Sequence, residues 1–233
     1  MSFFLYGIIV GKHKIFPYSV IKNVKDVISP AEKNLSRPCV TSLTKSCPYD
    51  IERMRLLDHF NNKVDIVFIG DSLTQDGIWN EFFPSLTVAN RGFGSATSSD
   101  IIKRLDKVIT TNPEMAFIML GINDFLNGTP VDFVLKNFEL ILNELETANI
   151  KVVIQSTIQC ELVVCGPEMV NSINELNANL VNLSALKGHT YLDLEDLSFT
   201  NGLFPDHTVD GIHLTAKGYI YWSEKISDLI ERL

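Results

Sequence analysis

At 233 residues the chain has room for one large domain, or for one domain with an extension. It is 45% hydrophobic and 21% charged, an ordinary globular composition with enough apolar mass for a proper core. A formal charge of -8, with no Lys/Arg cluster to offset it, argues against nucleic acid and anionic membrane as partners.

Ser2 to Val10 is apolar and is followed by Lys12, His13 and Lys14. The run is shorter than the ~18 residues that suggest a spanning helix. It also lacks the basic start and small-residue cleavage site of a signal peptide. Two readings stay open: the remnant of a membrane anchor that starts upstream of Met1, or an apolar segment packed on the domain. Membrane contact, if any, is expected only through residues 2–10. Pro17, Pro30, Pro38 and Pro48 punctuate the polar stretch that follows, so 1–48 reads as an N-terminal extension and 49–233 as the domain.

From Tyr49 the pattern is regular. Ile51 to Phe60 carries apolar residues at helical spacing, and Val64 to Ile69 is a β-branched apolar run that reads as a buried parallel strand. Thr87 to Ala89 is a short strand, and Ser99 to Ile109 a helix with Ile101, Ile102, Leu105 and Val108 on one face. Met115 to Leu120 is the third strand, and Pro130 opens a long amphipathic helix to Ala148. Lys151 to Ile158 and Thr190 to Leu194 are further strands, with helices at Glu168 to Leu186 and Thr215 to Ile230. Strands alternating with helices predict an α/β fold: a three-layer α/β/α sandwich around a mostly parallel five-stranded sheet.

Four cysteines, at 39, 47, 160 and 165, match no common zinc spacing and no CxxC redox pattern. Either pair, Cys39/Cys47 or Cys160/Cys165, could close a disulfide in an oxidising compartment, or all four could be free thiols. A bond between Cys160 and Cys165 would favour the cell envelope or secretion; free thiols would favour the cytoplasm.

Ser72 follows the first buried strand at once, in Gly70-Asp71-Ser72-Leu73, where open α/β sheets place their ligands. A plain strand-to-helix turn would use the same residue types. A nucleophilic serine needs a base, a group to orient the base, and oxyanion donors. Asp210-Gly211-Ile212-His213 offers the first two, because an i, i+3 spacing in a turn can aim both side chains one way. Of the four other histidines, at 13, 59, 189 and 207, only His207 is a nearby rival, and no acid lies three residues before it. Gly121-Ile122-Asn123-Asp124 follows the third strand, and the neutral Asn123 amide suits an oxyanion, although an Asx turn would use it as well. Gly92-Phe93-Gly94-Ser95 follows the second strand and could present backbone N–H groups. Phe199, Leu203 and Phe204 form either an apolar wall before the Asp210 loop or part of the core.

Together these four stretches, in this order, resemble the SGNH hydrolases, also called the GDSL esterase and lipase family, from about residue 50 to the C-terminus. The resemblance implies a flavodoxin-like fold, Ser72 as nucleophile, His213 as base and Asp210 as its orienter. It implies an oxyanion hole made of the Ser72 N–H, the Asn123 side chain and one backbone N–H of the second stretch. The family's second glycine is replaced here by Ser95, which restricts the turn if φ must be positive. The donor falls on Ser95 by position, with Gly94 as the alternative. Thr74 stands where a Gly-x-Ser-x-Gly elbow would need its last glycine, which disfavours the ordinary α/β-hydrolase.

The expected activity is hydrolysis of a carboxylic ester through an acyl-serine, without metal or cofactor. The substrate is a small-molecule or glycan ester, and the family analogy leans toward a small O-acyl group on a carbohydrate. An O-acyltransferase would use the same residues, and a binding module with a dead site is the remaining alternative.

Overall fold

The computed structural model describes residues 48–60, 62–199 and 202–232. Expectations for the extension, the apolar run at 2–10 and the Cys39/Cys47 pair therefore lie outside the described residues. The elements are α1 (Pro48–Leu57), β1 (Ile66–Gly70), α2 (Ser72–Asp76), α3 (Trp79–Phe82), β2 (Val88–Gly92), α4 (Ser98–Ile102) and α5 (Asp106–Ile109). Then come β3 (Met115–Met119), α6 (Ile122–Leu126), α7 (Val131–Thr147), β4 (Lys151–Gln155), α8 (Leu162–Lys187), β5 (Thr190–Leu192), β6 (Ser198–Phe199), β7 (Gly202–Leu203) and α9 (Ala216–Ile230).

The main sheet has the order β2-β1-β3-β4-β5, and every pairing in it is parallel. β6 and β7 form a separate antiparallel pair. Alternation along each strand sends side chains to opposite faces. Val67, Ile69, Ala116, Ile118, Val152 and Ile154 face a core completed by Phe138, Ile141 and Leu142 of α7 and by Leu176 and Leu180 of α8. Ile66, Phe68, Phe117 and Met119 face the other way, onto Trp79, Trp222 and Ile226. Phe68 stacks on Trp79 with ring centroids 4.4 Å apart. Both faces are covered, which is why the strands read as near-continuous apolar runs. Arg53–Leu233 forms one compact unit. No described helix is long and apolar enough to cross a membrane.

β4 ends at Gln155 rather than Ile158 and β5 at Leu192 rather than Leu194, and three further elements depart from the pattern read in the sequence. β2 runs on through Asn90-Arg91-Gly92, paired with Phe68-Ile69-Gly70, instead of ending at Ala89. Its polar residues are tolerated because Asn90 donates to the Thr74, Gln75 and Gly77 carbonyls, and Arg91 to those of Phe60 and Lys107. The helix expected over Ser99 to Ile109 is two short helices, and at the break the Arg104 guanidinium lies 4.4 Å above the Phe93 ring. α8 begins at Leu162, not at Glu168, because a single turn precedes Gly166, whose φ of 73° interrupts the helix before Pro167.

Candidate active site

In an all-parallel sheet every strand ends at the same edge. The order 2-1-3-4-5 places the topological switch point between β1 and β3, outside whose carboxyl ends ligands bind in folds of this type. Ser72 follows β1 and Asn123 follows β3. The candidate residues from distant stretches of sequence therefore converge on this crevice.

Ser72 is the first residue of α2, and Asp71 caps the helix by accepting the Leu73 N–H at 3.0 Å. A first-turn residue such as Ser72 has no carbonyl within its helix to receive its own N–H. The Ser72 Oγ lies 3.1 Å from His213 Nε2 across 141 residues of sequence. His213 Nδ1 lies 2.7 Å from Asp210 Oδ2. A carboxylate only accepts, so Nδ1 carries the hydrogen, and the neutral ring is left with a lone pair on Nε2 to receive the Ser72 proton.

Asp210 builds its own turn. Its Oδ1 accepts the N–H groups of Ile212 at 3.0 Å and His213 at 2.8 Å, leaving Oδ2 for the ring. Burial works against the Asp210 charge. The two backbone donors and the imidazole outweigh it and hold the carboxyl below the usual aspartate range. Thr208 pins the turn from below, with its Oγ1 donating to the His213 carbonyl and accepting from Gly211 N–H. The rival His207 is buried elsewhere, its Nδ1 3.4 Å from the Leu197 carbonyl and its ring beside Tyr221 and Phe204. Leu203 is core, Phe204 is partly exposed, and the Phe199 side chain lies outside the described ones.

At the second stretch the backbone discriminates between the two candidate donors. The Gly94 N–H already donates to Gln75 Oε1 at 2.7 Å. The Ser95 N–H has no acceptor among the described residues, and Ser95 is exposed with φ at 60°, in the left-handed region. The strain anticipated for a Cβ at this position is thus present. Asn123 stands in the first turn of α6, reached through Gly121, whose φ of 130° is open only to glycine. Its Nδ2 donates to Asp71 Oδ2 at 3.3 Å and to the Ala96 carbonyl at 3.2 Å.

Two buried carboxylates that sequence reasoning left without a role organise this edge. Asp71 holds the Asn123 amide. Burial, opposed by the Leu73 N–H and by His213 and reinforced by Asp124, pushes the Asp71 carboxyl up to about 7. Asp124 accepts the Ser98 N–H at 2.9 Å and Oγ–H at 2.7 Å, and Asn137 of α7 donates to both the Ser98 and Ser99 hydroxyls. Burial raises the Asp124 carboxyl as well, despite the Ser98 bonds. The signal available in the sequence was the acid inside each motif, Gly70-Asp71 and Asn123-Asp124. Gln75, Asn90 and Asn137 carried no such mark. Among the described residues, no three His, Cys, Asp or Glu side chains are grouped to hold a metal ion.

The sequence is 26% identical over 159 residues to an N-acylneuraminate cytidylyltransferase of Streptococcus agalactiae serotype V, a match covering 67% of this chain and 36% of that protein. The chain thus accounts for little more than a third of that relative's length. The fold is similar to that of a GDSL-like lipase from Bacteroides thetaiotaomicron, with a TM-score of 0.69, 21% identity, and coverage of 79% of this chain and 98% of that one. It is similar also to that of an acetyl xylan esterase, with a TM-score of 0.64, 21% identity, and coverage of 71% and 98%. At these identities the two structures speak for the fold alone. The description of the GDSL-like lipase/acylhydrolase family matches residues 68–220, a span that holds all four motif stretches. With that pattern running from the first strand into the last helix, the chain belongs to the GDSL-like lipase/acylhydrolase family of ester-hydrolysing enzymes.

Proposed function

We propose that the protein hydrolyses a short O-acyl ester, with acetyl the first candidate, carried on a carbohydrate hydroxyl. The observation that carries the chemistry is the unbroken line from Ser72 Oγ through His213 to Asp210, at 3.1 and 2.7 Å. Nε2 takes the Ser72 proton as Oγ attacks the acyl carbonyl. The negative oxygen of the tetrahedral intermediate is met by the N–H groups of Ser72 and Ser95 and by the Asn123 amide. The ester C–O bond breaks as His213 returns the proton to the leaving sugar hydroxyl, and water then releases the acyl group by the same route reversed. Asp210 stays ionised throughout, fixing the tautomer and stabilising the imidazolium.

Two considerations support the alcohol part. The His213 and Asp210 side chains are 38% and 51% exposed, so the line opens at the surface, which suits a bulky polar leaving group. Both an acetyl xylan esterase and a protein named for a neuraminate sugar resemble this chain. The domain itself is taken as 49–233, with 1–48 an extension. The test is a panel of acetyl, butyryl and octanoyl esters of xylose, sialic acid and simple alcohols, with Ser72→Ala as control. Acetyl sugars should turn over fastest, and Ser72→Ala should abolish both turnover and fluorophosphonate labelling. Preference for octanoyl esters would sink the substrate reading. Transfer of the acetyl group to an added sugar, in place of release as acetate, would make the enzyme an acyltransferase.

A further inference from the structure

Two turns meet at the carboxyl edge beyond β4. One carries Asp210 and His213. The other runs from Glu161 to Cys165 and is clipped by a disulfide between Cys160 and Cys165. The contacts between them are close and fall on consecutive residues. The Glu161 N–H donates to the Gly211 carbonyl at 2.7 Å. Val164 occupies the space beside Gly211, where an added Cβ would come within 2.4 Å of its Cγ2, and Gly211 has φ of 89°. Ile212 packs on the small cluster of Ile122, Cys160, Met169 and Ile173, with Cys165 against its edge.

Within its own stretch of chain the disulfide turn has little regular structure to fix it. Gly166, at φ 73° and ψ 166°, cuts Leu162–Cys165 off from the rest of α8. What remains is one helical turn, far below the length at which a helix holds itself in water. Its Leu162, Val163 and Val164 are exposed, so its packing is confined to Val164 beside Gly211 and Cys165 at the edge of the Ile122 cluster. The covalent tie to Cys160, which is fully buried, joins the Glu161–Gly211 hydrogen bond and the packing of Cys165 in holding the turn. Cys165 is partly exposed and open to attack by an external thiolate.

We propose that the Cys160–Cys165 disulfide is a redox-sensitive brace that positions the Asp210–His213 turn against Ser72. The inference rests on the reading of Ser72, His213 and Asp210 as the catalytic line. Opening it takes a dithiol. One thiolate attacks Cys165 Sγ, the S–S bond breaks, and Cys160 leaves as a thiolate that is then protonated. The reductant's second thiol attacks the mixed disulfide, closing the reductant's own ring and releasing Cys165 as a thiol. The balance is two electrons and two protons from the dithiol, ending on Cys160 and Cys165. Glu161, freed from its clip, no longer holds the Gly211 carbonyl, and the spacing of His213 from Ser72 loosens.

The experiment compares the oxidised protein, the protein reduced with dithiothreitol, and Cys160→Ala/Cys165→Ser, each with its folded fraction measured by thermal melting. Reduction should lower kcat about tenfold or more per folded molecule, with KM within about twofold and Ser72 phosphonylation slowed in step. The low-field proton resonance of His213 Nδ1–H should broaden on reduction, and reoxidation should restore both signal and rate. A reduced, folded enzyme with full kcat and an unchanged resonance would overturn the brace. So would a loss of activity that only follows the loss of folded protein. Ser72→Ala marks the separate failure: if the oxidised variant stays active, the catalytic reading falls, whatever the disulfide does.

Discussion

The Asn123 amide lies within hydrogen-bond distance of both the buried Asp71 carboxyl and the Ala96 carbonyl. In the proposed oxyanion role the same amide would serve the fold and the chemistry together. Asn123→Ala should cut kcat by on the order of 10²–10³ with KM nearly unchanged. It also leaves Asp71 short of a donor, so urea melts should show a loss of about 1–3 kcal/mol. Steady-state rates corrected for folded fraction separate the two effects, and a normal corrected kcat would refute the oxyanion role. Asp71 itself has a measurable signature. Its carboxyl rises from an ordinary value near ~4 to about 7 on folding. Between those limits the folded state keeps a proton that the unfolded chain has lost. Stability from this group is thus present at low pH and declines as pH rises toward 7. Relative to wild type, Asp71→Asn should gain about 4 kcal/mol between pH 4 and 8, read from melts at both ends. A pH-independent difference would mean the carboxyl titrates normally. Ser95 bears a left-handed φ of 60°. Ser95→Gly keeps the N–H and removes the Cβ strain, so Tm should rise by about 2–4 °C for roughly 1 kcal/mol, with kcat unchanged.

At the scale of elements, the turn bearing Ser95 is strapped to the helix bearing Ser72. Asn90, the third residue of β2, donates to three carbonyls at the end of α2 and accepts the Gly92 N–H. Gln75, on α2, returns the connection by accepting the Gly94 N–H. The proposed nucleophile and oxyanion donor thus sit on two elements tied together by side-chain hydrogen bonds. Gln75→Leu keeps the side-chain bulk but removes the acceptor, so the turn loses its tie without a large change in packing. It should lower kcat several-fold at constant KM, whereas Gln75→Glu, which still accepts, should recover most of the rate. Equal effects of both variants would show that the bond does not position the donor. On the far side Asp124, Ser98 and Asn137 tie α4, α6 and α7 together in the same manner.

For the whole molecule, one parallel sheet with helices on both faces brings the candidate residues Ser72 and Asn123 to a single edge at the β1/β3 switch point, where the Asp210–His213 turn meets them. Among the described residues, the two cores on either face are built from residues after Arg53. Residues 49–233 expressed alone should therefore fold with a cooperative melt and retain kcat/KM on a small acetyl ester within about twofold. A truncated protein that melts without cooperativity would place essential structure in the first 48 residues.

Local chemistry made the strands, the long helices and the candidate residues visible in the sequence. Apolar runs of β-branched residues mark strands buried on both faces, Ser72 and Asn123 stand in short motifs just after strand ends, and Asp210 and His213 stand in a turn shortly before the last helix. The i, i+3 pairing of Asp210 with His213 was legible for the same reason, since a turn of four residues needs no distant partner. The polar continuation of β2 was not legible, because Asn90 and Arg91 are acceptable there only with carbonyls supplied by other parts of the chain. Nor could it be read that, among the described residues, the Gly94 N–H is engaged and that of Ser95 is not, since this depends on Gln75, 19 residues earlier, accepting from Gly94. The Cys160–Cys165 bond was open in the sequence, where free thiols were equally compatible. Only the tertiary structure set that turn against Gly211, since 50 residues of chain must fold before Glu161 can reach its carbonyl.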